Sequence, residues 1–283
     1  MSRTRVAGSA ARRTRARRAR SRIAGRLSRS GRRALRAALA APLPIRLLVG
    51  AAAILAVLTA SNWVYQVVRK PAEMFFPVSG VLAKTPAETW RRYGPLFREH
   101  STAAVAPELL AALAQVEGSG NPVARTYWRW RLTWNPFEVY QPASSAVGMY
   151  QITDAAFRDA RRFCIRDHGV VEDGPWHEWS TCWFNSLYTR VIPSHAVELT
   201  AVLLERGVAG TLRRRRIPAA TLQQQQDLAA VIHLCGAGAG DAYARSGFRL
   251  AASQRCGDHD VAGYLERVNA MKRQFVRLGL RDP

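Results

Sequence analysis

Acidic and aromatic residues are both absent from the first 46 positions of this 283-residue chain. Those positions hold 15 of the 42 Lys and Arg residues, mixed mainly with Ala and Ser. Because such a composition cannot bury a hydrophobic core, residues 1–46 are predicted to be a disordered, Arg-rich tail. The other 27 basic residues face 20 acidic ones. The net charge of +22 therefore belongs mostly to the tail, and nucleic acid is not a predicted partner.

Charged residues are also absent from residues 47–68, a run of 22 positions. At about 1.5 Å per helical residue, this run is long enough to cross a bilayer core of roughly 30 Å. Trp63 and Tyr65 lie near its end, where interfacial aromatic residues are usual, and Arg69 and Lys70 follow it. We interpret the run as a transmembrane helix. A buried helix of a soluble protein and a cleaved signal peptide are the alternatives.

The excess of Arg before the run predicts an N-terminus in the cytoplasm, because cytoplasmic flanks of membrane helices are enriched in positive charge. The predicted location is therefore the inner membrane, crossed once, with the rest of the chain in the periplasm. Residues 69–84 read as a linker and residues 85–283 as one folded domain.

Cysteine is scarce, and all four cysteines lie in the predicted periplasmic domain, where an even number favours disulfides. Three pairings are possible. Pairing Cys164 with Cys182 and Cys235 with Cys256 is favoured, because each pair closes a loop of about 20 residues. No CxxC pair occurs, so a zinc site is disfavoured and no metal or cofactor is predicted.

Convincing strand-like alternation is lacking after the linker, so the domain is predicted to be nearly all α. Caps and helical periodicity mark the helix starts, as at the Thr221–Gln224 capping box. Helices are predicted over residues 85–99, 106–117, 153–163, 194–205, 221–234 and 258–278.

The helix that ends at Glu117 is predicted to position a candidate catalytic carboxylate. Leu109, Leu110, Leu113 and Val116 recur at helical spacing, which predicts one buried face, and glycines end the helix directly after Glu117. The negative end of the helix dipole and the apolar neighbours favour the protonated carboxyl that a general acid needs. A solvated Glu in a last helical turn is the ordinary alternative.

Three short sequence motifs, the first of which contains Glu117, follow one another along the chain. They are Glu117 with Asn121, Pro122 and Ala124; Gly148 with Gln151 and Ile152; and the Gly-rich stretch 234–240. This pattern resembles the catalytic domain of bacterial lytic transglycosylases of the soluble (Slt) type, within the lysozyme-like superfamily. The resemblance covers roughly residues 105–245 and implies a mainly α, lysozyme-like domain behind the transmembrane helix.

The chain departs from the family pattern at four motif positions. Gly118 stands where the family has Ser after its Glu, and Tyr150 stands where it has Met before its Gln. The Tyr and Asn of the third family motif fall on Cys235 and Gly236.

The resemblance implies that Glu117 acts first as acid and then as base on peptidoglycan. It would cleave the bond between N-acetylmuramic acid and N-acetylglucosamine and close a 1,6-anhydro ring, without water, metal or cofactor. The loop at 144–153 would line the cleft. The predicted substrate-binding residues are Ser145, Gly148, Met149, Tyr150 and Gln151, with Tyr140 from the aromatic insertion 125–143. Those aromatic rings could stack on sugars or form a small satellite core.

Two other functions remain open from the sequence. A lysozyme-type hydrolase would need a second carboxylate, for which Glu138 and Asp154 are candidates. A non-catalytic peptidoglycan-binding assembly subunit would fit the motif departures. In each case the predicted partners are peptidoglycan glycan strands, the inner membrane and cell-envelope machinery.

Overall fold

The computed structural model describes residue 31 and residues 40–75, 79–175, 177–178, 181–251 and 253–280. The chain divides into two compact units, residues 1–64 and residues 65–283. Its described part is mainly helical, as predicted. The predicted disorder of the Arg-rich tail falls almost entirely outside the described residues.

One helix dominates the described part of the first unit. Helix α1, Leu43–Arg69, begins four residues before the predicted span and ends one residue after it. Pro44 suits its first turn, because a proline lacks only an N–H that has no helical partner there. Its most apolar stretch has a mean hydropathy of 2.1 and no buried residue. Within the described residues, α1 is the single helix long and apolar enough to cross a membrane.

The second unit contains helices and three short antiparallel hairpins. In chain order its elements are α2 Pro86–Glu99, α3 Pro107–Gly118, β1 Trp128–Trp130, β2 Tyr140–Pro142, α4 Asp154–Ala160, β3 Phe163–Arg166, β4 Gly169–Glu172, α5 Pro193–Arg215, α6 Leu222–Cys235, α7 Ala237–Arg245, β5 Arg255–Cys256, β6 His259–Asp260 and α8 Val261–Gly279. The strands pair β1–β2, β3–β4 and β5–β6. These hairpins are a departure from the expectation of a nearly all-α domain.

Short local signals set the helix starts. Thr85 and Thr221 each form a complete capping box, and Thr153 caps α4 by accepting a hydrogen bond from a backbone N–H. Helix α4 ends at Ala160 and not near residue 163, because the chain turns there into β3. Helix α5 runs ten residues beyond its predicted end at Glu205.

Helix α3 lies at the centre of the core. All six residues from Leu109 to Ala114 are buried, and the helix packs chiefly against α8 and α2. Helices α5, α6 and α7 pack against one another in the same hydrophobic core. This arrangement holds the C-terminal end of α3 next to elements that lie more than a hundred residues away in sequence.

Two disulfides each tie a hairpin to another segment of the second unit. The structure pairs Cys164 with Cys182 and Cys235 with Cys256, the pairing predicted from loop length, and each pair has a Cα–Cα distance of 5.5 Å. Closing loops of this length stabilises a fold by roughly 3 kcal/mol in the chain-entropy model. The second disulfide ties β5 to the last residue of α6.

The segment predicted to be a linker belongs to the second unit. Between residues 69 and 84 the chain forms two 3-10 helices, Pro71–Phe75 and Ser79–Leu82. Lys70, Ala72 and Glu73 within this segment are buried. This packing was not predictable from the sequence, because two of the partners of Glu73, Arg125 and Trp128, lie more than fifty residues further along the chain.

Candidate active site

Glu117 lies in the last turn of α3, one residue before the helix ends. Ser119 adopts the left-handed conformation there, and its N–H donates to carbonyl groups of the final turn. The Glu117 side chain is 18% exposed, so it is largely screened by the protein but still open to solvent. The predicted position of the carboxylate at the end of a buried helix is thus the observed one.

Tyr264 holds one oxygen of this carboxylate. It lies near the start of α8 and is 2% exposed, and its hydroxyl donates a 2.6 Å hydrogen bond to Oε1 of Glu117. Burial raises the pKa of Tyr264 well above its usual value, and the Glu117 carboxylate raises this pKa further. The hydroxyl therefore stays protonated and remains a donor over the physiological pH range.

His233 approaches the same carboxylate oxygen from α6. Its Nε2 lies 3.8 Å from Oε1 of Glu117, beyond direct hydrogen-bonding distance, and its side chain is 14% exposed. His233 and Gln151 both line a cavity of about 640 Å³ between α4, α5 and α6. A cavity of this size falls within the range of small-molecule sites, roughly 300–1,000 Å³.

Backbone hydrogen bonds join the first two sequence motifs. The carbonyl oxygen of Ala124 accepts a 3.0 Å hydrogen bond from the N–H of Gly148 and a 3.3 Å bond from Nε2 of Gln151. Gln151 Nε2 also donates to the carbonyl of Gly148 at 2.8 Å. The backbone of Gln151 is left-handed, with φ 48°. Its side-chain amide donates to two backbone carbonyls and so stabilises the loop, whereas the predicted role of Gln151 was to bind substrate.

Gly118 and Met149 show how closely the loop approaches the end of α3. A Cβ on residue 118 would lie only 2.8 Å from the Cα of Met149. The Ser expected at this position by resemblance would therefore collide with the loop. The departure at Gly118 has a local steric cause.

Replacing Gly148 by Ala is expected to destabilise the second unit by roughly 1–3 kcal/mol. Gly148 has φ 81°, and a Cβ there would overlap the carbonyl oxygen of Arg190. Urea unfolding of the full chain in detergent micelles, followed by tryptophan fluorescence, measures the loss. Gly247→Ala is the matched control, since Gly247 has φ 71° but open space around it. Equal losses in the two variants would contradict a steric role for Gly148.

Met149 and Tyr150 were predicted to bind substrate, but both are fully buried in the hydrophobic core. The Tyr150 hydroxyl has no hydrogen-bond partner among the described residues, and burial raises the pKa of Tyr150 well above its usual value. Neither side chain is accessible to a ligand in this structure. Any contribution they make to the site comes through packing under the loop.

Ser145 takes part in a hydrogen-bonded network on the other side of the loop. Its Oγ accepts from the N–H of Asp154, and its carbonyl accepts from Arg190 at 2.9 Å. Arg190 also pairs with Asp154 at 2.7 Å and donates to the carbonyl of Ile152. The structure therefore gives Ser145 a role in shaping the loop.

Tyr140 lies in β2, opposite Trp130 in β1. Its ring centroid is 4.7 Å from that of Trp130 and 5.1 Å from that of Trp128. The aromatic insertion therefore contains a hairpin in which these rings pack against one another at tilted angles of 33° and 45°. None of its residues lines the cavity beside His233.

If Glu117 is the acid–base group that the resemblance implies, replacing Tyr264 by Phe is expected to lower turnover of the glycan roughly tenfold to a hundredfold, because a hydrogen bond to a charged group contributes about 1.5–3 kcal/mol. The hydroxyl positions Glu117, so kcat should fall while KM stays nearly constant. Tyr243→Phe is the control, since that tyrosine is also buried but the hydroxyl that contacts Glu117 belongs to Tyr264. A variant with unchanged kcat would show that Tyr264 acts only in packing.

Sequence reasoning missed Tyr264 and His233. Tyr264 falls on the apolar face of α8, so its periodicity marked it only as a core residue. The available signal was its hydroxyl, because a buried tyrosine O–H normally finds a partner. His233 lies more than a hundred residues after Glu117, and no local spacing in the sequence connects the two.

No protein-family model matches the chain, and no curated protein matches it.

Proposed function

We propose that the protein is a membrane-anchored peptidoglycan lytic transglycosylase with a lysozyme-like domain. The observation that carries the proposal is the Glu117 carboxylate, which Tyr264 holds at the end of buried helix α3. The next residue of this helix, Gly118, lies directly against the motif-bearing loop at Met149. The motifs matched around Glu117 and Gln151 supply the reaction class. The geometry supports it by placing these two motifs in contact.

Glu117 carries both proton transfers in this reaction. As an acid it protonates the oxygen between N-acetylmuramic acid and N-acetylglucosamine, and the 2-acetamido carbonyl of the sugar stabilises the developing cation. As a base it then takes the proton of the C6 hydroxyl, whose oxygen closes the 1,6-anhydro ring. Since Tyr264 binds Oε1, Oε2 is the oxygen that we assign to proton transfer. No water enters the product.

A lysozyme-type hydrolase is the second candidate, and it requires another carboxylate about 5–10 Å from the first. Glu138 pairs with Arg69 at 3.1 Å, and Asp154 pairs with Arg190 at 2.7 Å, so both predicted candidates have structural partners. Asp159 lines the cavity beside His233, which is the observation in favour of a hydrolase, but it too has a structural partner, Arg206, at 3.0 Å.

A non-catalytic peptidoglycan-binding subunit is the third candidate. Its support comes from the missing Tyr and Asn of the third motif, at Cys235 and Gly236. Cys235 is instead used in a disulfide, and Gly236 connects α6 to α7 with φ 80°. The Tyr264–Glu117 hydrogen bond is compatible with this candidate as well, because a positioned carboxylate can also accept hydrogen bonds from sugar hydroxyls.

The proposed location follows from α1. The helix anchors the protein in the inner membrane with its Arg-rich N-terminus in the cytoplasm, and the second unit acts on glycan strands in the periplasm. Cell-envelope machinery is the further partner class that we propose.

Mass spectrometry of the products released from purified sacculi tests the proposal. The full chain in detergent micelles should release muropeptides that end in anhydro-muramic acid. Reducing-end products, heavier by one water, would favour the hydrolase. Binding to sacculi without soluble products would favour the assembly subunit.

A further inference from the structure

The hairpin formed by β1, β2 and their connecting loop, residues 128–142, exposes large apolar side chains at its tip. Trp130 is 74% exposed, and Leu132 and Trp134 are each 104% exposed. The loop is held by a 2.8 Å backbone hydrogen bond from Arg131 to Val139. Apolar groups held in water in this way mark an interaction surface.

Three contacts fix this aromatic hairpin to the end of α1, all within the second unit. The Phe137 ring stacks on Tyr65 with centroids 5.3 Å apart, and the Phe137 carbonyl accepts a 2.7 Å hydrogen bond from Gln66. Arg69 pairs with Glu138 at 3.1 Å. These contacts join the hairpin, through Phe137 and Glu138, to the last turns of the helix.

The contacts with the hairpin lie at the end of the apolar run of α1. Tyr65 lies four residues before Arg69, which corresponds to about 6 Å along a helix axis. The uncharged run continues to Val68. The hairpin thus contacts α1 inside the apolar run, on the membrane side of the first charged residue that follows it.

We propose that the aromatic hairpin is a membrane-contacting element whose Trp130, Leu132 and Trp134 enter the interface of the bilayer that α1 crosses. Trp is suited to this interface because its ring is amphipathic. Arg129 and Arg131 are exposed on the same hairpin and match the negative charge of anionic headgroups. The inference rests on the proposed membrane anchoring by α1, and it adds a second attachment that orients the second unit.

The exposed side chains favour a lipid surface as the partner of this hairpin. Arg129 and Arg131 are exposed cations, which suits phosphate headgroups. Trp130, Leu132 and Trp134 add the large exposed apolar area that a bilayer interface takes up.

Fluorescence quenching by spin-labelled lipids tests the inference on the full chain in bilayer nanodiscs containing anionic lipid. One added cysteine carries the fluorophore at Leu132, at Leu55 within the apolar run, or at Leu280. Leu280 is the matched control, since it is also an exposed leucine at 82% but lies outside the hairpin. Nitroxides placed high on the acyl chains should quench the label at Leu132, and nitroxides placed deep on them should quench the label at Leu55, while the label at Leu280 stays bright with both.

Each outcome decides a different part of the inference. Quenching at Leu55 without quenching at Leu132 would overturn the membrane role of the hairpin while leaving the anchor in place. An unquenched Leu55 would overturn the anchor and the hairpin role together. A Leu132 label that responds to added glycan chains and not to the lipids would assign the hairpin to sugar binding and refute the proposal. In the Trp130→Ser, Trp134→Ser double variant, the Leu132 label should lose most of its quenching.

Discussion

The Glu117→Gln variant is expected to release soluble muropeptides about a hundredfold to ten-thousandfold more slowly than the natural chain. This factor is the usual contribution of a general acid–base group. The amide has nearly the shape of the carboxylate, and its oxygen can still accept the hydrogen bond from Tyr264. The variant therefore loses proton transfer while the packing at the end of α3 stays the same. The measurement is the initial rate of muropeptide release from sacculi.

Glu108→Gln is the matched control for this experiment. Glu108 lies in the first turn of the same helix, so the two substitutions make the same chemical change at opposite ends of α3. The control should keep nearly full activity. Equal unfolding midpoints for the two variants would show that any difference in rate is chemical. Full activity in Glu117→Gln would refute the assignment of the catalytic residue.

The second large effect is expected at Glu73, whose replacement by Ala should lower the free energy of unfolding by about 3–5 kcal/mol. The Glu73 side chain is completely buried. Its carboxylate lies 3.2 Å from Lys70 Nζ and 2.8 Å from Arg125 Nη1, and it accepts a 2.9 Å hydrogen bond from Trp128 Nε1. Removing it leaves two cationic groups in a poorly solvated site without their shared counter-charge.

Glu138→Ala supplies the comparison for Glu73. Glu138 pairs with Arg69, whose side chain is 56% exposed, and a pair of this kind contributes at most about 1 kcal/mol. Urea unfolding of both variants in the same detergent measures the difference. Similar losses of unfolding free energy in the two variants would show that the buried contacts of Glu73 do not stabilise the packing of the segment after α1 within the second unit.

Local chemistry made the helices predictable from sequence. The capping boxes at Thr85 and Thr221 and the glycines after Glu117 act within a few residues, so their effect can be read from the chain. The placement of Glu117 at a helix end followed directly. The pairing of the cysteines also followed, because short loops of similar length favoured it.

Contacts between distant segments were not predictable. Tyr264 meets Glu117 across 147 positions, and only the packing of α8 against α3 brings them together. The burial of Tyr150 also depends on contacts with distant segments. Its position in a loop, two residues after Gly148, does not indicate that its side chain turns into the core. The buried Glu73 lies in a segment with the composition of a linker, and two of its partners, Arg125 and Trp128, come from more than fifty residues later in the chain.

Cleavage of sacculi in water enriched in heavy oxygen tests the central claim most directly, namely that Glu117 cleaves glycan strands without using water. The account predicts that the products of the full chain contain no oxygen from the solvent at the new chain end and that Glu117→Gln forms almost none of them. One solvent oxygen for each cleaved bond would contradict the account and identify the protein as a hydrolase.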